Sequence, residues 1–148
     1  MTLSETLSQV ELFEGLEPDE LEQIAGICEE RTFDSGHVVA KQGDTGDELF
    51  IIWEGLVEVV HEETPEDSTP RTVVNLGQGQ VFGEMALVDF GPRSATVRVI
   101  SESATVQAIP REAFLEMCEL HNHLGYVVMR NMAADLSFKL RHQHLIGR

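Results

Sequence analysis

Between Phe82 and Val97 the chain reads FGEMALVDFGPRSATV. This stretch holds the side chains best suited to grip a small anion that also carries a hydroxyl. Gly83 lets a main chain approach a ligand closely. Glu84, Met85, Ala86 and Leu87 fit one helical turn, whose free N–H groups point outward with partial positive charge. Val88 to Pro92 supply a turn, and Arg93 follows with a planar fork that suits two phosphate oxygens. Ser94 and Ala95 begin the next strand and add main-chain donors. Glu84 is wrong for a bare phosphate, yet a carboxylate accepts well from a hydroxyl such as a ribose 2′-OH. One carboxylate and one guanidinium, nine residues apart, would then read two ends of a sugar phosphate.

These residues need a frame. From Arg31 to Ile109 glycines punctuate short runs rich in Val, Ile and Phe: LFIIW (49–53), LVEVV (56–60), TVVNL (72–76), ATVRVI (95–100) and ATVQAI (104–109). Ala95, Val97 and Val99 alternate with Thr96 and Arg98, and Val106 and Ala108 with Thr105 and Gln107. Period-two patterning between regular turn signals predicts an antiparallel sandwich or barrel. His61 to Arg71, with two prolines and four acids, reads as a polar hairpin loop. Helices are expected on both sides. Pro18 to about Glu30 starts with Pro, Asp19 and Glu20, and places Leu21, Ile24, Ala25 and Cys28 on one face. The preceding LFEGL reads as a turn with apolar anchors. After the β region, Pro110 and Glu112 start the helix REAFLEMCELH. A longer helix follows from about Asn122 to Leu145, with Leu124, Val128, Met132, Leu136 and Leu140 recurring every four residues. That repeat drifts around a 3.6-residue helix, so the apolar face is broad enough for core and for a second helix.

Charge narrows the function. The chain has 148 residues, with 10 Lys and Arg against 26 Asp and Glu, a net charge of -16. Residues 1–129 hold 6 of the bases and 25 of the acids, a charge of -19. Affinity for nucleic acid comes mainly from Lys and Arg neutralising phosphates, so a duplex-binding surface is disfavoured. A small anion needs a locally positive site, which makes each isolated arginine worth inspecting. No apolar run approaches the roughly 20 residues that span a bilayer, and MTLSETLSQVELFEG lacks the basic start of a secretory signal. Two cysteines, Cys28 and Cys118, match no metal spacing and read as small buried hydrophobes of a reducing cytoplasm. His121 and His123, like His142 and His144, are two apart on helices and do not face each other, which argues against metal. Trp53 reads as a packed strand residue.

FGEMAL followed by PRSATV resembles the phosphate-binding cassette of cyclic-nucleotide-binding domains. That family includes catabolite-activator-type regulators and regulatory subunits of cAMP-dependent protein kinase. The resemblance extends to LFEGLEPDELEQIA, to FDSGHVVAKQGDTGDELFIIWEGLVEVV with its turn at Gly43–Asp47, and to LGQGQVFGE, covering roughly residues 5–145. It implies a mainly β fold: an antiparallel β-roll of jelly-roll-like, double-stranded β-helix type, with an N-terminal helix and a C-terminal helix pair. One domain is expected over residues 1–148, with a helical segment 1–30, a β-roll 31–109 and C-terminal helices 110–148. The resemblance implies that Arg93 binds the exocyclic phosphate oxygens and Glu84 the ribose 2′-OH. Phe82, Gly83, Met85, Ala86, Ser94 and Ala95 would complete the pocket, with Val74 on the base side. Leu87 matches the position that couples the cassette to the C-terminal helices. In the family, alanine after the arginine tends to accompany cAMP and threonine cGMP. Ser94 is intermediate and leans to cAMP, with cGMP open.

Relatives often place a small polar pair in the long helix to contact the base. The matching positions here are Lys139 and Leu140, a departure that leaves Lys139, Arg141 or a cap by Leu140 as alternatives. The expected protein is a stand-alone cyclic-nucleotide sensor that is not an enzyme, uses no metal and is cytoplasmic. It would not bind nucleic acid directly, and would work through an unidentified protein partner or a homodimer along helix 122–145. Two alternatives share the fold: an interaction module that no longer binds ligand, and the sensor fragment of a larger transcription regulator. The relatives that bind DNA carry a helix-turn-helix after the long helix, and this sequence ends before one begins.

Overall fold

The computed structural model describes residues 2–62 and 71–146. They form two compact units, Met1–Gly26 with Leu115–Arg148, and Ile27–Phe114. The second unit carries the β structure. Among the described residues it has eight strands in two antiparallel sheets: β1 (Glu29–Asp34), β2 (Val38–Ala40), β3 (Glu48–Glu54), β4 (Val57–His61), β5 (Arg71–Leu76), β6 (Val81–Phe82), β7 (Thr96–Val99) and β8 (Ser103–Pro110). One sheet runs β1-β8-β3-β6 and the other β2-β7-β4-β5. Both orders are crossed over in sequence, as in a roll whose strands alternate between layers.

The core explains the patterning. Phe50, Ile52, Val57, Phe82, Val97, Val99, Ala104, Val106 and Ala108 form one buried cluster between the sheets. Alternation therefore holds on β8 for Ala104, Val106 and Ala108. Gln107, expected on the polar face, is nonetheless buried, and its Nε2 donates to Glu30 Oε1 at 3.1 Å. Leu49, Ile51 and Ile109 are buried as well, so β3 and β8 are covered on both faces. That is why β3 reads as an unbroken LFII run. Thr96 breaks the alternation of β7: it is buried, accepting from the Gln42 N–H at 3.0 Å and donating to Glu62. β4 and β5 pair antiparallel, with His61 opposite Arg71. Residues 63–70 of the expected hairpin loop lie outside the described residues.

In the helical unit, α1 (Leu3–Leu7) is an element the sequence reading did not anticipate. Thr2 and Glu5 close a capping box on it, the side-chain pairing that offsets the cost of so short a helix. A 3-10 turn at Glu11–Phe13 buries Leu12 and Phe13, the apolar anchors of LFEGL. α2 covers Pro18–Ile27, shorter than expected because the extended chain of β1 already begins at Glu29. It buries Leu21 and Ile24, with Ala25 half-buried. α3 (Arg111–Leu120) starts at the expected Arg111, directly after Pro110 ends β8, and stops one residue short of His121. α4 runs Asn122–Ile146. Its Asn131 Nδ2 donates to the carbonyls of Leu12 and Glu14 at 2.9 and 2.8 Å. The expected apolar stripe is core only in part: Leu124, Val128 and Met132 are buried, whereas Leu136 is half-buried and Leu140 exposed. The four-residue repeat drifts, and the buried sector ends near Met132.

Both cysteines are half-buried rather than fully buried. Burial pushes the Cys28 thiol up to about 12, so little of it is thiolate near neutrality. Alkylation of Cys28 in the native chain at pH 8 should be far slower than that of an exposed thiol, accelerating as pH rises toward about 12; mass spectrometry reads the rate. Ile52 is fully buried in the roll. Ile52→Ala should cost about 2–5 kcal/mol by urea denaturation.

Candidate functional site

Arg93 is held by its main chain before its side chain does anything. Its N–H donates to the Asp44 carbonyl at 2.8 Å, and its carbonyl accepts from the Gly43 N–H at 2.9 Å. Thr45 and Pro92 form an isolated bridge beside these bonds. The turn at Gly43–Asp47 thus docks along the end of the 82–97 segment. Glycines then make room for the guanidinium. A Cβ on Gly46 would collide with the guanidinium itself. A Cβ on Gly83 would stand 2.5 Å from Arg93 Nη1 and 3.0 Å from the Glu48 carbonyl, at a φ of +81°.

Between these glycines Arg93 is half-buried, with Nη2 donating to the Glu48 carbonyl at 3.0 Å. Its Cζ lies 5.7 Å from the centroid of Phe50, a cation–π distance. Phe50 in turn stacks on Phe82 at 5.0 Å. Among the described residues no carboxylate forms an ion pair with Arg93. Burial lowers the Arg93 pKa, an effect that nearby Glu48 and Asp47 only partly oppose. The guanidinium faces a cleft of about 230 Å³ that Lys41, Thr45, Gly46, Phe50, Asp44, Asp47 and Glu48 also line. A desolvated cation with one neutral acceptor at a cleft wall is suited to an incoming anion.

The rest of the segment follows its expected shape with two differences. Gly83, left-handed, precedes a 3-10 turn at Glu84–Leu87, in which Ala86 and Leu87 are buried, Glu84 is half-buried and Met85 exposed. Phe82 is buried in the roll core rather than open to the cleft. Ser94 and Ala95 precede β7, which begins at Thr96, so they do not open the strand. The amides of Ser94 and Ala95 donate in no main-chain bond to another described residue, which leaves two donors beside Arg93. Phe82 and Arg93 both lie against Phe50, and Gly83 lies against the Arg93 guanidinium. Val74 does not join them: it is exposed on β5 of the other sheet, opposite Val59. Lys139 and Leu140 are exposed on α4 in the helical unit, where Lys139 pairs with Asp135 at 3.0 Å. Among the described residues no group of His, Cys, Asp and Glu is arranged to hold a metal ion. His123 instead meets Glu20 at 2.7 Å.

The sequence reading missed Arg111. This residue is buried, and its Nη1 donates to the carbonyls of Ala86 at 2.6 Å and Asp89 at 2.8 Å. Its Cζ lies 3.7 Å from the Phe90 ring centroid, and its own N–H donates to the Asp47 carbonyl at 2.8 Å. One side chain thereby satisfies the carbonyl end of the 84–87 turn, while its main chain ties down the 43–47 turn. A signal was present: Arg111 opens α3, and a cation in the first turn opposes the helix dipole. Such a misplaced charge points to a partner elsewhere.

Comparison with known proteins bears on the family and the fold. The model of the cyclic nucleotide-binding domain matches residues 30–121. The cAMP-dependent protein kinase regulatory subunit of Dictyostelium discoideum is 35% identical over 129 residues, 86% of this chain and 38% of that protein. The cGMP-dependent protein kinase egl-4 of Caenorhabditis elegans is 32% identical over 108 residues, 73% of this chain and 14% of that protein. The chain thus spans well under half the length of either kinase-related protein. The crystal structure of Thermus thermophilus catabolite activator protein superposes with a TM-score of 0.79 at 32% identity, over 91% of this chain and 60% of that one.

Arg111→Met should leave the Ala86 and Asp89 carbonyls without their donor and cost roughly 2–4 kcal/mol. Urea denaturation measures it; a change below about 0.5 kcal/mol, the range of an ordinary surface substitution, would show that these bonds do not support the turn.

Proposed function

The chain belongs to the cyclic nucleotide-binding domain family, and on that premise we propose that its 82–97 segment binds a cyclic nucleotide, cAMP in preference to cGMP. Arg93 takes the exocyclic phosphate oxygens and Glu84 the ribose 2′-OH. The amides of Ser94 and Ala95, with the main chain at Gly83, Met85 and Ala86, complete the grip. The observation that carries this reading is the half-buried Arg93 guanidinium, which faces a cleft and, among the described residues, has a single carbonyl as its acceptor. A phosphate supplies the compensating charge in the bidentate geometry that guanidinium favours. The preference for cAMP rests on Ser94, and relatives named for each nucleotide keep both in the test.

On this reading the chain is a sensor rather than an enzyme, and no metal takes part. Ligand draws the segment inward, and Leu87, fully buried at the end of the 3-10 turn, passes the change toward the C-terminal helices. The ligand shifts that equilibrium only by its differential affinity for the two states. Among the described residues no helix is long and apolar enough to cross a membrane.

Isothermal titration with cAMP and cGMP tests the reading. Binding by the parent chain is expected, weakened roughly 100-fold by Arg93→Ala, the scale of a lost charge-assisted contact. Glu84→Ala should weaken it about tenfold, as for a single lost hydrogen bond to a charged group. No heat from either nucleotide at millimolar concentration defeats the reading in favour of an interaction module of the same fold.

A further inference from the structure

Arg93 shares its cleft with a carboxylate that ought to spoil it. Glu48 supplies the carbonyl that accepts from Arg93 Nη2 at 3.0 Å, and the same residue lines the cleft. Its negative charge acts on the Arg93 guanidinium together with that of Asp47. Left to itself, this carboxylate would compete with an incoming anion for Arg93 and repel it from the cleft.

The structure gives that carboxylate another partner. Arg31, on β1, reaches across the intervening strand β8 to Glu48 on β3. Its Nη1 donates to Glu48 Oε1 at 2.8 Å and its Nη2 to Glu48 Oε2 at 2.5 Å. This two-point fork fixes the carboxylate plane as well as its distance. Nη2 also meets Glu29 at 2.9 Å. The Glu48 side chain is 21% exposed, so solvent screens the pair incompletely and its geometry matters more than that of an open surface bridge.

Resting on the functional reading above, we propose that Arg31 is a positioning residue for the anion site: it holds the Glu48 carboxylate away from Arg93, leaving the Glu48 carbonyl to orient the guanidinium. Arg31 touches no ligand on this account. It acts through the charge that it occupies. The arrangement solves a problem particular to an acidic chain, in which three of the residues lining the cleft, Asp44, Asp47 and Glu48, are acids.

The test is a double-substitution cycle on the full chain, read by isothermal titration with cAMP and with cGMP in parallel, and by thermal melting. Arg31→Met should weaken nucleotide binding about tenfold, since Glu48 then turns to Arg93 at short range. Glu48→Gln removes the competing charge, so the double variant should bind within about threefold of Glu48→Gln alone. A purely structural role for Arg31 would not be rescued in this way. Parent-like binding by Arg31→Met, or a double variant as weak as Arg31→Met beside an intact Glu48→Gln, overturns the proposal. If Arg31→Met does not fold, Arg31→Lys serves: a point charge cannot fork, so a loss of about threefold, recovered by Glu48→Gln, is expected and parent-like affinity overturns it. A parent chain that binds neither nucleotide defeats the functional reading itself, and the proposal with it.

Discussion

A guanidinium at the wall of a cleft, stripped of part of its water and given no carboxylate among the described residues, is costly to hold. Much of the β unit is arranged around meeting that cost at Arg93. Its main chain is bonded to the 43–47 turn on both sides, so the residue cannot withdraw toward solvent without breaking the turn. Phe50 supplies a π face and Phe82 backs it from the core. Gly46 and Gly83 vacate the volume that the guanidinium fills. The sheet order places β3 between β8 and β6, which brings the Glu48 carbonyl and the Phe50 ring to the same end of the roll.

Arginine serves three separate purposes here, distinguished by what each faces. Arg93 faces a cleft and a carbonyl. Arg111 faces two carbonyls through Nη1 and an aromatic ring, and works as an internal strut. Arg31 is committed to carboxylates. In a chain of net charge -16, these three cations are not spread as general counter-charge but placed against specific acceptors. The fork geometry that makes Arg93 suitable for an anion also makes the other two suitable for bridging separate segments.

The sequence made the roll and the 82–97 turn legible because both are written in local patterns. Val97 and Val99, or Ala104, Val106 and Ala108, declare a buried face by alternation, and Gly83 declares the left-handed residue ahead of the 3-10 turn. What stayed hidden depends on partners distant in the chain. Gln107 and Thr96 are polar residues buried because Glu30, Gln42 and Glu62 arrive from distant parts of the chain. Arg111 reaches back across about two dozen residues, and Arg31 finds Glu48 only through strand order. The extent of burial along α4 was likewise beyond a periodicity argument. Leu136 and Leu140 continue the repeat of Leu124, Val128 and Met132, but a repeat does not say where the covering structure stops. For the site, the left-handed glycine and the helical turn that follow Phe82 were readable from residue type and spacing, whereas the exposed placement of Val74 was not, because the face of β5 depends on pairing register.

β3 and β8 are buried on both faces, and this sets a hierarchy of motion. A strand whose two faces are both covered opens only when most of the unit opens, so its amides belong to the slowest-exchanging class of the molecule. The Glu48 carbonyl and the Phe50 ring, the two groups against which Arg93 rests, both belong to β3. The fixed reference of the cleft is therefore the least labile part of the β unit. The 3-10 turn at Glu84–Leu87 is held differently: it follows a left-handed glycine and is braced by Arg111 rather than by a strand ladder. A site with one side locked in a strand ladder and the other locked by a single arginine strut has sides that open at different free energies, so a change at the strut leaves the ladder as a constant origin.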